Sequence, residues 1–84
     1  MIFARRKQKQ NKEAANSIYY AKDNSKYVIE MAPEIGLLKS LGIVKDAIVE
    51  KIMTYKLGGP VLLQVESCEI AVSKDIAEKI IVRG

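Results

Sequence analysis

The sequence predicts a mainly β fold, a small and partly open β-barrel carrying one short helix and one helical turn. Three observations predict it. Apolar residues recur at strand spacing in about five short stretches, and a single stretch shows helical spacing. Breakers fall between these stretches, with Leu57-Gly58-Gly59-Pro60 the strongest. At 84 residues the chain has room for one domain, which buries about 60–65% of the surface its unfolded form exposes. Two packed sheets of ordinary size do not fit. Curling one sheet on itself buries a face and hides its edges.

Residues 1–16 are read as a flexible basic tail and residues 17–84 as the folded domain. From Ala4 to Asn16 the chain is rich in Lys, Gln and Asn and shows no apolar stripe at helical or strand spacing. Order is expected to start between Asn16 and Tyr20. Ser17-Ile18-Tyr19-Tyr20 and Tyr27-Val28-Ile29 read as two short extended pieces around the polar turn Lys22-Asp23-Asn24-Ser25. A helix follows, with Ala32 at its N-cap, Pro33 in its first position and Glu34 complementing its positive end. Ile35, Leu37, Leu38 and Leu41 form its inward stripe, and Gly42 supplies a left-handed cap.

A long strand spans Ala47 to Lys56, and its alternation slips near Glu50-Lys51, where a bend or bulge is expected. Val61, Leu63 and Val65 alternate with Leu62, Gln64 and Glu66; Cys68, Ile70 and Val72 then alternate with Glu69 and Ala71. These are two tightly joined strands. Ser73 caps a helical turn through Asp75-Ile76-Ala77-Glu78, and Ile80-Ile81-Val82 is the last strand. The expected core is Leu38, Leu41, Val49, Leu63, Val65, Ile70 and Ile80.

Composition narrows the function. The net charge of +4 is uneven: residues 1–26 carry seven basic and two acidic side chains, residues 27–84 seven basic and eight acidic. A phosphate-tracking surface needs its cations on the fold itself, so no nucleic-acid partner is expected. No apolar run approaches the roughly 20 residues that span a bilayer, and Met1-Ile2-Phe3 is too short for a signal h-region. The expectation is a cytoplasmic protein without direct membrane insertion. There is no histidine, no G-x-S-x-G and no G-x-x-x-x-G-K, so no enzyme is expected.

Residues 37–43 (Leu-Leu-Lys-Ser-Leu-Gly-Ile), 57–65 (Leu-Gly-Gly-Pro-Val-Leu-Leu-Gln-Val) and 69–80 (Glu-Ile-Ala-Val-Ser-Lys-Asp-Ile-Ala-Glu-Lys-Ile) resemble the ferrous-iron-transport A (FeoA) family. Members show a short helix ending in Leu-Gly, a long strand, a Leu-Gly-Gly-Pro or similar loop, and an Ala after the last helical turn. Two turn positions depart from the pattern: Lys45-Asp46 stands where the family usually has Pro-Gly, and Lys56 where it usually has Pro before the loop. The resemblance implies an SH3-like barrel that accompanies the prokaryotic ferrous-iron transporter and binds its cytoplasmic GTPase domain. The same barrel also ends metal-dependent repressors, so one alternative is a metal-sensing domain; another is a small nucleic-acid-binding barrel whose basic tail supplies phosphate contacts.

The partner-binding residues expected are Tyr55, Leu57, Gly58, Gly59 and Pro60. Loops on a rigid scaffold are common docking sites, and glycines there leave backbone groups unshielded and permit angles closed to other residues. The plain reading is a hairpin connection, which they satisfy as well. No cofactor is required by any motif. For a divalent transition metal such as Fe2+ the candidate ligands are Glu66, Cys68 and Glu69, which flank one tight connection. Against that stand a solvated strand edge for the glutamates and a small buried apolar position for Cys68.

Overall fold

The computed structural model describes residues 16–84. The expectation of a flexible basic tail falls, apart from Asn16, outside them. In chain order the elements are β1 (Ser25–Met31), α1 (Gly36–Ser40), β2 (Ile48–Thr54), β3 (Val61–Val65), β4 (Cys68–Val72), α2 (Lys74–Ala77) and β5 (Ile81–Arg83). The strands form one antiparallel sheet in the order β4-β3-β2-β1-β5. The sheet is open, and the closure implied by a barrel is absent among the described residues. The outer edge of β5 is already taken: the Val82 N–H donates to the Asn16 carbonyl (2.9 Å) and the Ile18 N–H to the Ile80 carbonyl (2.8 Å).

The stretch expected as the first extended piece is instead a turn, with the Tyr20 N–H donating to Ser17 O at 3.2 Å and Ser17 forming an isolated bridge to Ile81. A buried ammonium explains the turn. Lys51 is 1% exposed and donates to the carbonyls of Tyr19 (2.7 Å) and Ala21 (2.6 Å). Asp23 Oδ1 lies 3.5 Å from the same Nζ. Lys51 points inward where the pairing of β2 with β3 shifts between Lys51 and Met53, close to the expected slip. One extra residue there turns Met53 outward while Val49 and Lys51 both face in.

α1 begins three residues later than the Pro33 reading places it. Ile35 is its N-cap, with extended backbone and no side-chain cap bond. Pro33 and Glu34 lie in the approach, where the Ile35 N–H closes a tight turn onto Pro33 O at 2.8 Å. So short a helix buries one of its leucines, Leu38, and leaves Leu37 67% exposed. Leu41 becomes the C-cap and is half-buried; Ile43 takes the core position expected of it. Gly42 ends the helix at φ +88 as anticipated. The Gly42 N–H reaches Lys39 O (3.0 Å) and the Ile43 N–H reaches Leu38 O (2.9 Å), the paired bonds of a Schellman ending.

Twelve buried apolar residues form the core, among them Leu38, Val49, Leu63, Val65 and Ile80. Ile70 only borders it and Cys68 is exposed, contrary to the reading of both as interior. The reason is position: β4 is the outer strand and only Val72 on it is buried. Ser73 is the N-cap of α2 through its backbone, its carbonyl accepting from the Ala77 N–H at 2.8 Å, without a side-chain cap bond.

Candidate functional site

Residues 55–60 join β2 to β3, held at their base by the Thr54–Val61 pair and by the Tyr55 N–H donating to Pro60 O at 2.9 Å. At the tip the Gly59 N–H donates to Lys56 O at 3.2 Å, closing a four-residue turn. Its two central residues, Leu57 (φ 59) and Gly58 (φ 71), both lie in the left-handed region. Such a turn suits the twist of a hairpin and favours Gly, Asn or Asp at both places. Leu57 obeys neither preference. Its side chain is fully exposed (103%), beside Tyr55 at 43%.

The two glycines serve different ends. Gly58 supplies a backbone angle, whereas Gly59 supplies space: a Cβ there would stand 2.9 Å from the Tyr55 Cβ and 3.1 Å from Lys56 O. The expectation that both permit unusual angles therefore holds for Gly58 alone. The structure brings Tyr55, Leu57, Gly58, Gly59 and Pro60 into one hydrogen-bonded projection.

A neighbouring element completes the surface. Lys74, opening α2, passes its Cδ 3.9 Å from where a Cβ on Gly58 would lie. Its Nζ rests 5.5 Å from the centroid of the Tyr19 ring, which packs edge-on against Tyr20 at 5.0 Å. The Tyr20 hydroxyl donates to Glu78 Oε2 at 2.9 Å, and this bond to a carboxylate pushes the phenol's pKa up. Sequence spacing gave no sign that Lys74 or Tyr19 adjoins the loop, since the contact links elements distant in the chain.

The metal candidates fare differently. Glu66 forms the β3–β4 turn at φ 56, and Cys68 and Glu69 follow on the edge strand, paired with Val65 and Gln64. Successive strand residues point to opposite faces, so Cys68 and Glu69 diverge. Glu66 shares a shallow cavity of about 260 Å³ with Glu50, Gln64 and Lys26 instead. Among the described residues no three His, Cys, Asp or Glu side chains form a group able to hold a metal ion. The donor set does not fit a resident metal.

Residues 21–84 match the FeoA domain family. No curated protein sequence matches the chain. Among solved structures the chain is similar to Stenotrophomonas maltophilia FeoA complexed with zinc, described as a procaryotic SH3 domain protein, with 21% identity over 80% of this chain and 88% of that one and a TM-score of 0.67. It is similar also to an iron uptake regulatory protein (FeoA), with 19% identity, 80% and 92% coverage and a TM-score of 0.71. The repressor ScaR with bound Cd2+ gives 18% identity and a TM-score of 0.71, over 80% of this chain but 34% of ScaR, so the chain spans about a third of that protein's length. These likenesses concern the fold: a five-stranded antiparallel sheet with two short helices. The family match covers most of the chain, and with the Leu-Gly ending of α1 and the Leu-Gly-Gly-Pro turn in place, the chain belongs to the FeoA domain family, which is linked to ferrous iron transport.

Proposed function

We propose that this chain is a non-enzymatic accessory module of prokaryotic ferrous iron uptake that docks through residues 55–60 on the cytoplasmic GTPase domain of the ferrous-iron transporter. Family membership supports the setting. The observation that carries the docking surface is Leu57, an apolar side chain fully exposed on a turn whose backbone disfavours it. Strained residues cluster at clamps and binding sites, where the surrounding structure maintains them. An apolar anchor on a rigid scaffold supplies affinity at little entropic cost, because the loop is already ordered.

The test is a titration of the transporter's cytoplasmic domain with the unaltered chain, with Leu57→Ser, and with a deletion of residues 1–12. Leu57→Ser should weaken binding about 5- to 30-fold, equivalent to about 1–2 kcal/mol, with thermal stability unchanged. The deletion should matter less, since exposed charges are screened beyond about 8–10 Å at physiological salt. A loop variant that binds normally beside a deletion that abolishes binding would transfer the function to residues 1–12.

A second reading, a metal-sensing domain, draws on the fold shared with ScaR. The opposite facing of Cys68 and Glu69 on the edge strand speaks against it, and stoichiometric uptake of a transition metal at micromolar concentration would revive it.

A further inference from the structure

The surface around Leu57 has a charge as well as a shape. We infer that the partner surface receiving this loop is an apolar pocket rimmed by carboxylates, read by Lys56 and Lys74; this rests on the docking role proposed above. Leu57 is the tip, Lys56 precedes it in the turn, and Lys74 approaches Gly58 from α2 with its Cδ 3.9 Å from that residue's Cβ position. Two cationic residues, one in the turn and one packed against it, thus flank one exposed apolar side chain.

Neither cation is paired with a carboxylate among the described residues. Among the described residues the ion pairs are Lys39 with Glu34, Lys51 with Asp23 and Arg83 with Glu30. Lys56 and Lys74 take part in none. Asp75, adjacent to Lys74, makes no ion pair with it, and Glu78 is engaged by the Tyr20 hydroxyl at 2.9 Å. The Tyr19 ring, 5.5 Å from the Lys74 Nζ, holds that ammonium by its π face and leaves its N–H donors for a partner. Residues 27–84 carry seven basic and eight acidic side chains, so this positive bracket is a local arrangement rather than a consequence of bulk charge.

Division of labour between the groups follows. Exposed ion pairs contribute little affinity each but steer encounter and give binding its salt dependence, whereas a desolvated apolar anchor governs dissociation. Binding to the transporter's cytoplasmic GTPase domain is measured at 50 and 300 mM salt for the unaltered chain, Leu57→Ser, the pair Lys56→Gln/Lys74→Gln, and the equal-charge control Lys39→Gln/Lys45→Gln. The loop lysine pair should lose about fivefold in affinity at low salt, mostly in association rate, and less than about twofold at high salt. Leu57→Ser should lose affinity alike at both salts, and the control should follow the unaltered chain. If Leu57→Ser weakens binding while the loop lysine pair behaves as unaltered, docking stands and the carboxylate rim is wrong. If the control and the loop pair lose equally, the effect is bulk charge and the inference fails. No binding by the unaltered chain overturns both readings, and binding of the chain to phosphatidylglycerol vesicles with the same lysine dependence would identify the partner as a lipid surface instead.

Discussion

Leu57 faces two penalties at once: φ 59 places its Cβ against its own carbonyl, and its side chain is fully exposed to solvent. The left-handed conformation disfavours a residue with a Cβ by about 1–2 kcal/mol, while glycine in its place loses about 0.5–1 kcal/mol in unfolded-chain entropy. Leu57→Gly should therefore leave the urea midpoint unchanged or slightly higher while removing the anchor. A loss above about 1 kcal/mol would mean that Leu57 packs on the fold and is no docking element. Leu57 and its glycines were legible as a loop because Gly-Gly-Pro punctuates any strand pattern. Cys68 was misread because its alternation with Ile70 and Val72 marks a face without saying how far the neighbouring strand and helices cover it.

Segment 17–23 wraps a buried side chain from another element. Three partners, the carbonyls of Tyr19 and Ala21 and the Asp23 carboxylate, surround the Lys51 ammonium at the irregularity of β2. Burial pushes its pKa down and the nearby Asp23 carboxylate opposes this, burial prevailing. A depressed folded-state value means that the unfolded chain binds the proton more tightly, so this group's linked stability is complete above the unfolded-state value and is lost as pH falls through the folded one. The window lies below the ordinary lysine range of about 10.4. In an NMR titration Lys51 should change charge at lower pH than the exposed lysines, and Lys51→Met should release amide protection in Ile18, Tyr20 and Ala21, with a loss of about 1–3 kcal/mol from the carbonyls left unpaired. Co-titration of Lys51 with the other lysines would show that its ammonium is solvated. Asp46 makes a related point: it takes φ 73 where the family usually has glycine, and its N–H still reaches Ile29 O at 2.7 Å. Aspartate tolerates that region, so the departure preserves the turn.

Across the described residues, stability rests on a core of twelve side chains fed by every strand, both helices and the turn at Ile18. Leu63, at the centre of β3, is fully buried between β2 and β4. Leu63→Ala should remove about 2–4 kcal/mol, against a total of about 5–10 kcal/mol for a domain of this size. Urea unfolding measures it, and a change below about 0.5 kcal/mol would contradict the register of β3. No helix among the described residues is long and apolar enough to cross a membrane.

Local patterns legible in the chain were those governed by neighbours in sequence. The alternation of Val61, Leu63 and Val65 fixed which face of β3 is buried, and Gly42 fixed where α1 ends. The Leu-Gly-Gly-Pro run marked the turn, and its resemblance pointed to the family that the comparisons confirm. Tertiary structure alone decided the rest, because each remaining feature depends on contacts between distant residues. Which strand lies outermost exposed Cys68, and the packing of Asn16–Ile18 took up the outer edge of β5. The approach of α2 to the β2–β3 loop set Lys74 beside Gly58, a neighbour that no spacing along the chain encodes. Periodicity reports a side chain's face, while its burial and its partners are fixed only when the elements pack.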